Sequence, residues 1–352
     1  MTEIRSLERE DLPAVAALLR ANLPGWSGDE HFLAVQTIDH PWADEAFSSL
    51  VAVDEAKNVI GFIGAQVRRM RLDGAAVRGV CCTQLAVDHD SRNTAAGAFL
   101  LKRMISGAQE LTWSDGATDP VVRMWGAFGG HAEHSRACDW MLVLRPARWV
   151  GGALGALARR RSVRRNLGPV AALPFQAAGS WIVPSPHPDP PDDVVSEEAT
   201  TAALVESLPA ITSGIRFWVD HDEAHLDHMF RELEQFYERP LVRRLVRHRR
   251  RPIGWYAYMQ LRGAVAHVLH LAANERQADA VLGELVAHAR DTGTAVLAGR
   301  AEPHLAGPLS RRFAVLGFAR HPVMHATDPK LGAVLATGSS LLTRLDGEPF
   351  TP

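Results

Sequence analysis

The stretch Leu85 to Leu101, LAVDHDSRNTAAGAFLL, combines residue types and spacing that could do chemistry. An apolar run ends at Val87, a polar loop follows, and a helix-periodic pattern starts near Thr94 to Gly97. Such a joint aims several backbone N–H groups at one spot, and the helix N-terminus adds positive partial charge. That arrangement suits a pyrophosphate. The small residues Ala95, Ala96, Gly97 and Ala98 would let phosphate oxygens approach the backbone closely. A second group, His131, Glu133 and His134, is titratable, and an imidazole of ordinary pKa near ~6.5 is poised to take a proton at neutral pH. The cysteines are Cys81, Cys82 and Cys138. An odd number with two adjacent gives neither a disulfide framework nor metal-ligand spacing, so no metal is expected, and Cys82 and Cys138 read as core thiols.

These candidates need elements to position them. Ile4 to Leu7 reads as a strand, and Asp11-Leu12-Pro13 opens a helix whose apolar positions run from Val15 to Leu23. A loop carries Trp26 and Trp42, with a short helix around His31 to Thr37. Ser49 to Asp54 and Val59 to Arg71 read as strands, Asp73-Gly74 as a hairpin turn, and Val77 to Val87 as a long apolar strand. The helix after it is expected over Ala95 to Leu111, then a strand over Val121 to Phe128, a short helix over His131 to Asp139, and a strand over Trp140 to Leu144.

The second half repeats this order. PIGWYAYMQL, Pro252 to Leu261, resembles VIGFIGAQ, Val59 to Gln66, with Gly254 where Gly61 stands. Glu197 to Ser207, Asp222 to Phe236, Gln277 to Asp291 and Leu309 to Leu316 read as helices, with strands at Ala264 to Ala272, Ala295 to Arg300 and Phe318 to His325 and a turn at Arg262-Gly263. The domains expected are therefore residues 1–150, a Gly/Arg-rich then Pro-rich connector over 151–195, and residues 196–352. The second copy has Asn274-Glu275-Arg276-Gln277-Ala278 at its strand-helix joint, where no glycine offers close approach and Glu275 would repel phosphate.

The whole chain has 352 residues, 47% hydrophobic and 22% charged, with a formal net charge of −2. No global field recruits nucleic acid or membrane. The charged N-terminal stretch MTEIRSLEREDL lacks the apolar core of a signal peptide. No apolar run reaches the ~18 residues of a membrane span. A cytoplasmic location is the expectation. The arginines 159–161, 164 and 165, and Arg239, Arg243, Arg244, Arg247, Arg249, Arg250 and Arg251, read as solvated faces, or as an anion platform that could include a tRNA stem.

The run Arg92-Asn93-Thr94-Ala95-Ala96-Gly97, preceded by Leu85-Ala86-Val87, resembles the pyrophosphate loop of the GNAT acetyltransferase superfamily. The pattern there is Arg/Gln-x-x-Gly-x-Gly/Ala; this chain departs from it at Ala95, which would fit a helical backbone. The second half, with Gly299-Arg300-Ala301-Glu302-Pro303 and Leu342-Thr343-Arg344-Leu345-Asp346-Gly347, looks like tandem GNAT proteins of polysaccharide and cell-envelope pathways. The resemblance implies an α+β fold of two tandem GNAT-like domains, each with a mixed, mostly antiparallel twisted sheet flanked by helices. It implies acetyl-CoA or another acyl-CoA as co-substrate, held by Arg92, Asn93, Thr94, Ala95, Ala96, Gly97 and Ala98 and by the backbone of Leu85 and Val87. The thioester would lie near Cys81 to Gln84, so Gln84 is a candidate catalytic position. Where relatives carry a strand carboxylate as base, this chain has Cys81, Cys82, Thr83 and Gln84, and His131 and Glu133 become the candidates. The function implied is N-acyl transfer to a small-molecule or amino-sugar amine. The alternatives are an aminoacyl-tRNA-dependent transferase and a non-catalytic acyl-CoA-binding protein.

Overall fold

A computed structural model describes residues 2–89, 95–145, 188–261, 265–319 and 321–350. In chain order the strands and helices are β1 Glu3–Ser6, α1 Leu12–Asn22, α2 Glu30–Gln36, β2 Leu50–Val53, β3 Val59–Leu72, β4 Ala75–Val87, α3 Ala96–Ile105, β5 Leu111–Ser114, α4 Asp119–Ala127, β6 His131–Ala132 and β7 Cys138–Val143. They continue with β8 Val194–Glu198, α5 Thr201–Ile211, β9 Phe217–Val219, α6 Glu223–Tyr237, β10 Leu241–His248, β11 Arg251–Gln260, β12 Val265–Ala273 and α7 Ala278–Asp291. The last are β13 Val296–Arg300, α8 Ala306–Arg311, β14 Val315–Phe318, β15 Val323–Ala326, α9 Pro329–Leu335 and β16 Ser340–Leu341.

Two compact units are assembled from interleaved stretches, unlike the contiguous cut at 1–150 and 196–352 expected from the repeat. The first holds Met1–Ala137, Gly214–Tyr237 and Ala319–Pro352; the second holds Cys138–Ser213 and Glu238–Phe318. The connector over 151–195 lies outside the described residues up to position 187.

In the first unit the sheet runs β1-β2-β3-β4-β5-β15-β6, with β9 on β3 and β16 on β9. All pairs along the main run are antiparallel except β4 with β5. The hairpin of β3 and β4 turns at Asp73 and Gly74, whose φ values of 50° and 85° are the left-handed pair that a two-residue turn requires. Helix α3 buries Leu100, Leu101, Met104 and Ile105 against β2, β3 and β4 with Ile63, Val67 and Val80. A separate cluster joins Val15 and Leu19 of α1 to Val51, Phe62 and Ala86. Each such aliphatic side chain contributes about 1.5–3 kcal/mol by leaving water.

In the second unit the order is β14-β7-β13-β12-β11-β10-β8, antiparallel except β12 with β13. Helix α7 buries Val281, Leu282, Leu285 and Val286 among Trp140, Tyr256, Tyr258 and Leu297. The last strand of each sequence half is thus exchanged: β7 pairs in the second unit's sheet and β15 in the first's.

Several elements differ from expectation. Val121 to Phe128 is not a strand but most of helix α4, started by Thr118 and a proline in the first turn. The strand beside β4 is instead β5, which begins at Leu111, where the preceding helix was expected to end. His131 to Asp139 is a two-residue strand and a 3-10 turn rather than a helix. Glu197 and Glu198 close strand β8, and the expected helix over Leu309 to Leu316 ends at Arg311. Strand β10 lies within the second arginine cluster, with Arg244 bonded to Ser196, Arg247 to Glu197 and Arg249 to Asp193. The first arginine cluster and the Arg262-Gly263 turn lie outside the described residues.

Candidate active site

Strands β4 and β5 pair only over Gly79–Leu111, Val80–Thr112 and Cys81–Trp113. Beyond that, β4 continues to Val87 while β5 ends at Ser114, and no ladder pair joins them among the described residues. The parting coincides with a bulge, where the register of β3 with β4 shifts between Phe62 and Gly64 and Gln84 takes a φ of 56°. A left-handed glutamine costs about 1–2 kcal/mol relative to extended backbone, and such strain accumulates at functional positions. Gly64 permits the bulge: a Cβ there would stand 2.3 Å from the Thr83 hydroxyl.

The gap opens into a cavity of about 590 Å³, lined wholly by residues of the first unit. That volume suits a small ligand. Its wall includes Thr83, Gln84 and Leu85 of β4, Leu101 of α3, Ser114 at the end of β5, and Gly116, Ala117, Thr118 and Val121 beyond it. It also includes Leu23, Pro24, Trp26, Phe32, Phe236 and Phe350. Phe32 stacks on Phe236 at 4.8 Å between centroids, and Phe350 stands edge-on to both.

Among the lining residues the one carboxylate is Glu348. Its Oε1 accepts from the Ser114 hydroxyl at 2.7 Å and from the Asp115 N–H at 3.0 Å, while its own N–H donates to Asp115 Oδ2 at 2.9 Å. Buried arginines fix the segment that carries it. Arg68 donates to the carbonyl of Asp346, and Arg136 to those of Leu342 and Leu335 and to Ser340 Oγ. The Tyr237 hydroxyl donates to the Pro349 carbonyl at 2.9 Å. A carboxylate so held can accept a proton from a bound amine. Sequence reasoning placed the candidate base at His131 and Glu133 and did not single out Glu348, although Asp346-Gly347 immediately before it had been noted; nothing local signals that residue 348 meets residue 114.

The expected residues fall into three groups. Gln84 and Leu85 line the cavity. Val87 ends β4, and its Cγ2 would lie 3.2 Å from a Cβ on Gly97, so strand end and helix start meet closely. Ala96, Gly97 and Ala98 form the first turn of α3, after Ala95. Ala95 has a φ of 59°, the left-handed conformation natural to glycine, and not the helical backbone that alanine was expected to need. Arg92, Asn93 and Thr94 lie outside the described residues.

His131 and Glu133 are not brought to the cavity. His131 is exposed and pairs with Met324 of β15; Glu133 is buried, accepting from Ser135 N–H and Oγ as a local cap. The physical reason is the identity of α4: as a helix rather than a strand, it does not end where the sheet parts. Cys82 borders the cavity, and burial, reinforced by Glu348, pushes its thiol well above the usual range. It is a protonated wall, not a nucleophile.

A second polar cluster of the first unit surrounds Trp42. His225 stacks on that indole at 3.7 Å, and His40, His221 and His228 neighbour His225 or His40. Burial holds His40 down at about 2 and His225 well below the usual imidazole range, with Arg68 adding to both.

No protein-family model and no curated protein sequence matches the chain. Its fold is similar to that of a GCN5-related N-acetyltransferase from Anabaena variabilis, with a TM-score of 0.60 at 10% identity over 94% of this chain and 74% of that one. It is similar to Eis1 from Mycobacterium abscessus, with a TM-score of 0.54 at 16% identity over 96% and 76%. It is also similar to Saccharomyces cerevisiae N-myristoyltransferase with bound myristoyl-CoA, with a TM-score of 0.52 at 11% identity over 92% and 79%. Two mixed, mostly antiparallel sheets flanked by helices, each with a parallel strand pair that parts beside a bulge, thus give this chain the fold of the GCN5-related N-acetyltransferases.

Proposed function

We propose that the chain is an acyl-CoA-dependent N-acyltransferase working in its first unit. The observation that carries this reading is the open gap between β4 and β5, with the first turn of α3 at the end of β4. An extended pantetheine can add to the free edge of β4 as an extra strand would. The start of α3 attracts the pyrophosphate. That one structural neighbour holds myristoyl-CoA supports an acyl-CoA as co-substrate.

The chemistry is direct. Glu348 accepts a proton from the bound ammonium, and the free amine attacks the thioester carbonyl. The adduct's oxyanion meets a backbone N–H near the Gln84 bulge. As the C–S bond breaks, the nitrogen loses a second proton and the leaving thiolate takes one, giving amide and CoA-SH. Calorimetric titration of the full chain with acetyl-CoA should give one site per chain, weakened several-fold by Gly97→Phe. Two sites, or an affinity indifferent to Gly97→Phe, would remove the cofactor from this gap.

A further inference from the structure

We propose, building on the acyltransferase reading, that the acceptor is a primary amine with an aromatic or bulky apolar body and a neutral hydrogen-bond acceptor near it. It is not an amino sugar or a nucleotide sugar. Four rings of the cavity wall, Trp26, Phe32, Phe236 and Phe350, offer offset and edge-on contact to another ring. Apart from Glu348, no charged residue lines the cavity among the described residues. A cationic amine therefore finds its counter-charge, whereas a phosphate or carboxylate on the acceptor would be desolvated without one.

Three polar side chains of the wall are engaged with the protein. Gln66 donates to Gln36 Oε1 at 2.9 Å and accepts from Arg68 at 2.7 Å. Ser114 and Tyr237 donate to Glu348 and to Pro349. A polyhydroxylated ring set against these four aromatic side chains would leave the hydroxyls on that side unpaired. Two side chains of the wall stand apart: Gln36 and Trp26 each carry an enclosed donor, Nε2 and Nε1, that has no protein partner. Gln36 follows Phe32 by four residues on α2, so the amide lies on the same helix face as the ring. Buried donors of this kind await an acceptor atom. A carbonyl or ether oxygen on the ligand supplies it.

The test uses the full chain and three probes: phenylalaninamide, phenethylamine and glucosamine. Binding of each amine alone is read by calorimetry and turnover with acetyl-CoA by thiol release. Phenylalaninamide should bind at least ~10-fold more tightly than glucosamine and be the better substrate, a modest difference on the affinity scale. Trp26→Phe keeps a ring and removes the donor. It should weaken phenylalaninamide several-fold and leave phenethylamine unchanged, which a folding defect would not do. Phe236→Ala should weaken both aromatic amines while acetyl-CoA affinity holds. Glucosamine binding as well as phenylalaninamide, or Trp26→Phe affecting both aromatic amines alike, overturns the inference. If the amines bind as expected but no thiol is released, the acyltransferase reading fails and the ligand assignment stands.

Discussion

Both units contain a parallel strand pair that parts after a few residues beside a bulge, and they treat the gap in opposite ways. In the first, β4 and β5 separate beyond Cys81 and Trp113 and the space stays open as the cavity. In the second, β12 and β13 separate beyond Val268 and Gly299, and the register with β11 shifts beside Leu269. There the chain after β13 turns inward. His304 Nε2 reaches the Leu271 carbonyl at 3.2 Å, Leu305 joins the core, and a buried pair of Arg300 and Glu302 at 2.8 Å braces the turn. Gly61 faces Val87 and Gly254 faces Ala273, so Leu271 is the counterpart of Leu85. The backbone beside the cavity in the first unit has its counterpart bonded by a side chain in the second. One fold can hold a ligand or fill its own groove, and the few residues after the shorter parallel strand decide which.

The sharpest way to break this comparison is to remove the carboxylate. Glu348→Gln should lower turnover by ~10²–10⁴-fold, the usual cost of losing a general base, with acetyl-CoA affinity nearly intact. A loss below about threefold in saturating acceptor would relieve Glu348 of that role. Next, filling the first gap should convert it to the second's state. Ala117→Trp, placed where the cavity follows β5, should weaken acetyl-CoA by at least ~10-fold while the circular dichroism spectrum is retained, as a bulky ring displaces the ligand. Unchanged affinity would mean that the cofactor lies elsewhere.

Acid should separate the units as well. His40 and His225 are buried neutral in the first, their folded-state pKa values depressed below the unfolded value near ~6.5. The unfolded state then binds more protons, so their stabilisation is complete above pH ~6.5 and is lost as pH falls below it, by at most about 1.4 kcal/mol per pH unit for each histidine. In the second unit His288, half-buried against Tyr258, sits at about 4 and loses stability over a narrower range, down to that value. Thermal melts from pH 8 to 5 should fall steeply, and His225→Phe, keeping the stack on Trp42, should flatten the slope. An unaltered slope would assign the acid sensitivity elsewhere. The smallest effect is expected at Cys82. With its thiol held protonated, Cys82→Ala should change turnover less than about threefold and intact-protein mass spectrometry should show no acyl adduct.

The sequence exposed much of this because the signals are local. Alternating and apolar runs marked β3 and β4, Asp73-Gly74 marked their turn, and the small residues after Val87 marked the start of α3. Gly61 and Gly254 betrayed the repeat because both lie under a packed helix: a Cβ would stand 3.0 Å from Leu100 in one and 2.6 Å from Val281 in the other. What escaped was long-range. VVRMWGAF is rich in strand formers, and only Asp119-Pro120 before it announces a helix. The exchange of β7 and β15 and the approach of Glu348 to Ser114 join residues more than a hundred positions apart, which no periodicity encodes. His131 looked catalytic for its chemistry, but burial and lining are settled by the sheet order.

Synthesis runs from N- to C-terminal at about 5–20 residues per second. Strand β5 emerges roughly 200 residues before its neighbour β15, so its outer edge waits some 10–40 s for a partner. Strand β7 likewise appears long before β13 and β14 exist to flank it. The nascent N-terminal half therefore carries unpaired strand edges, the surfaces on which chains pair wrongly with one another. A fragment of residues 1–145 is expected to aggregate, even though it contains the loop, the bulge and most of the groove. The exchange also ties the cavity wall to a late stretch of the sequence: no chain that stops short of residue 348 can hold Glu348 against Ser114.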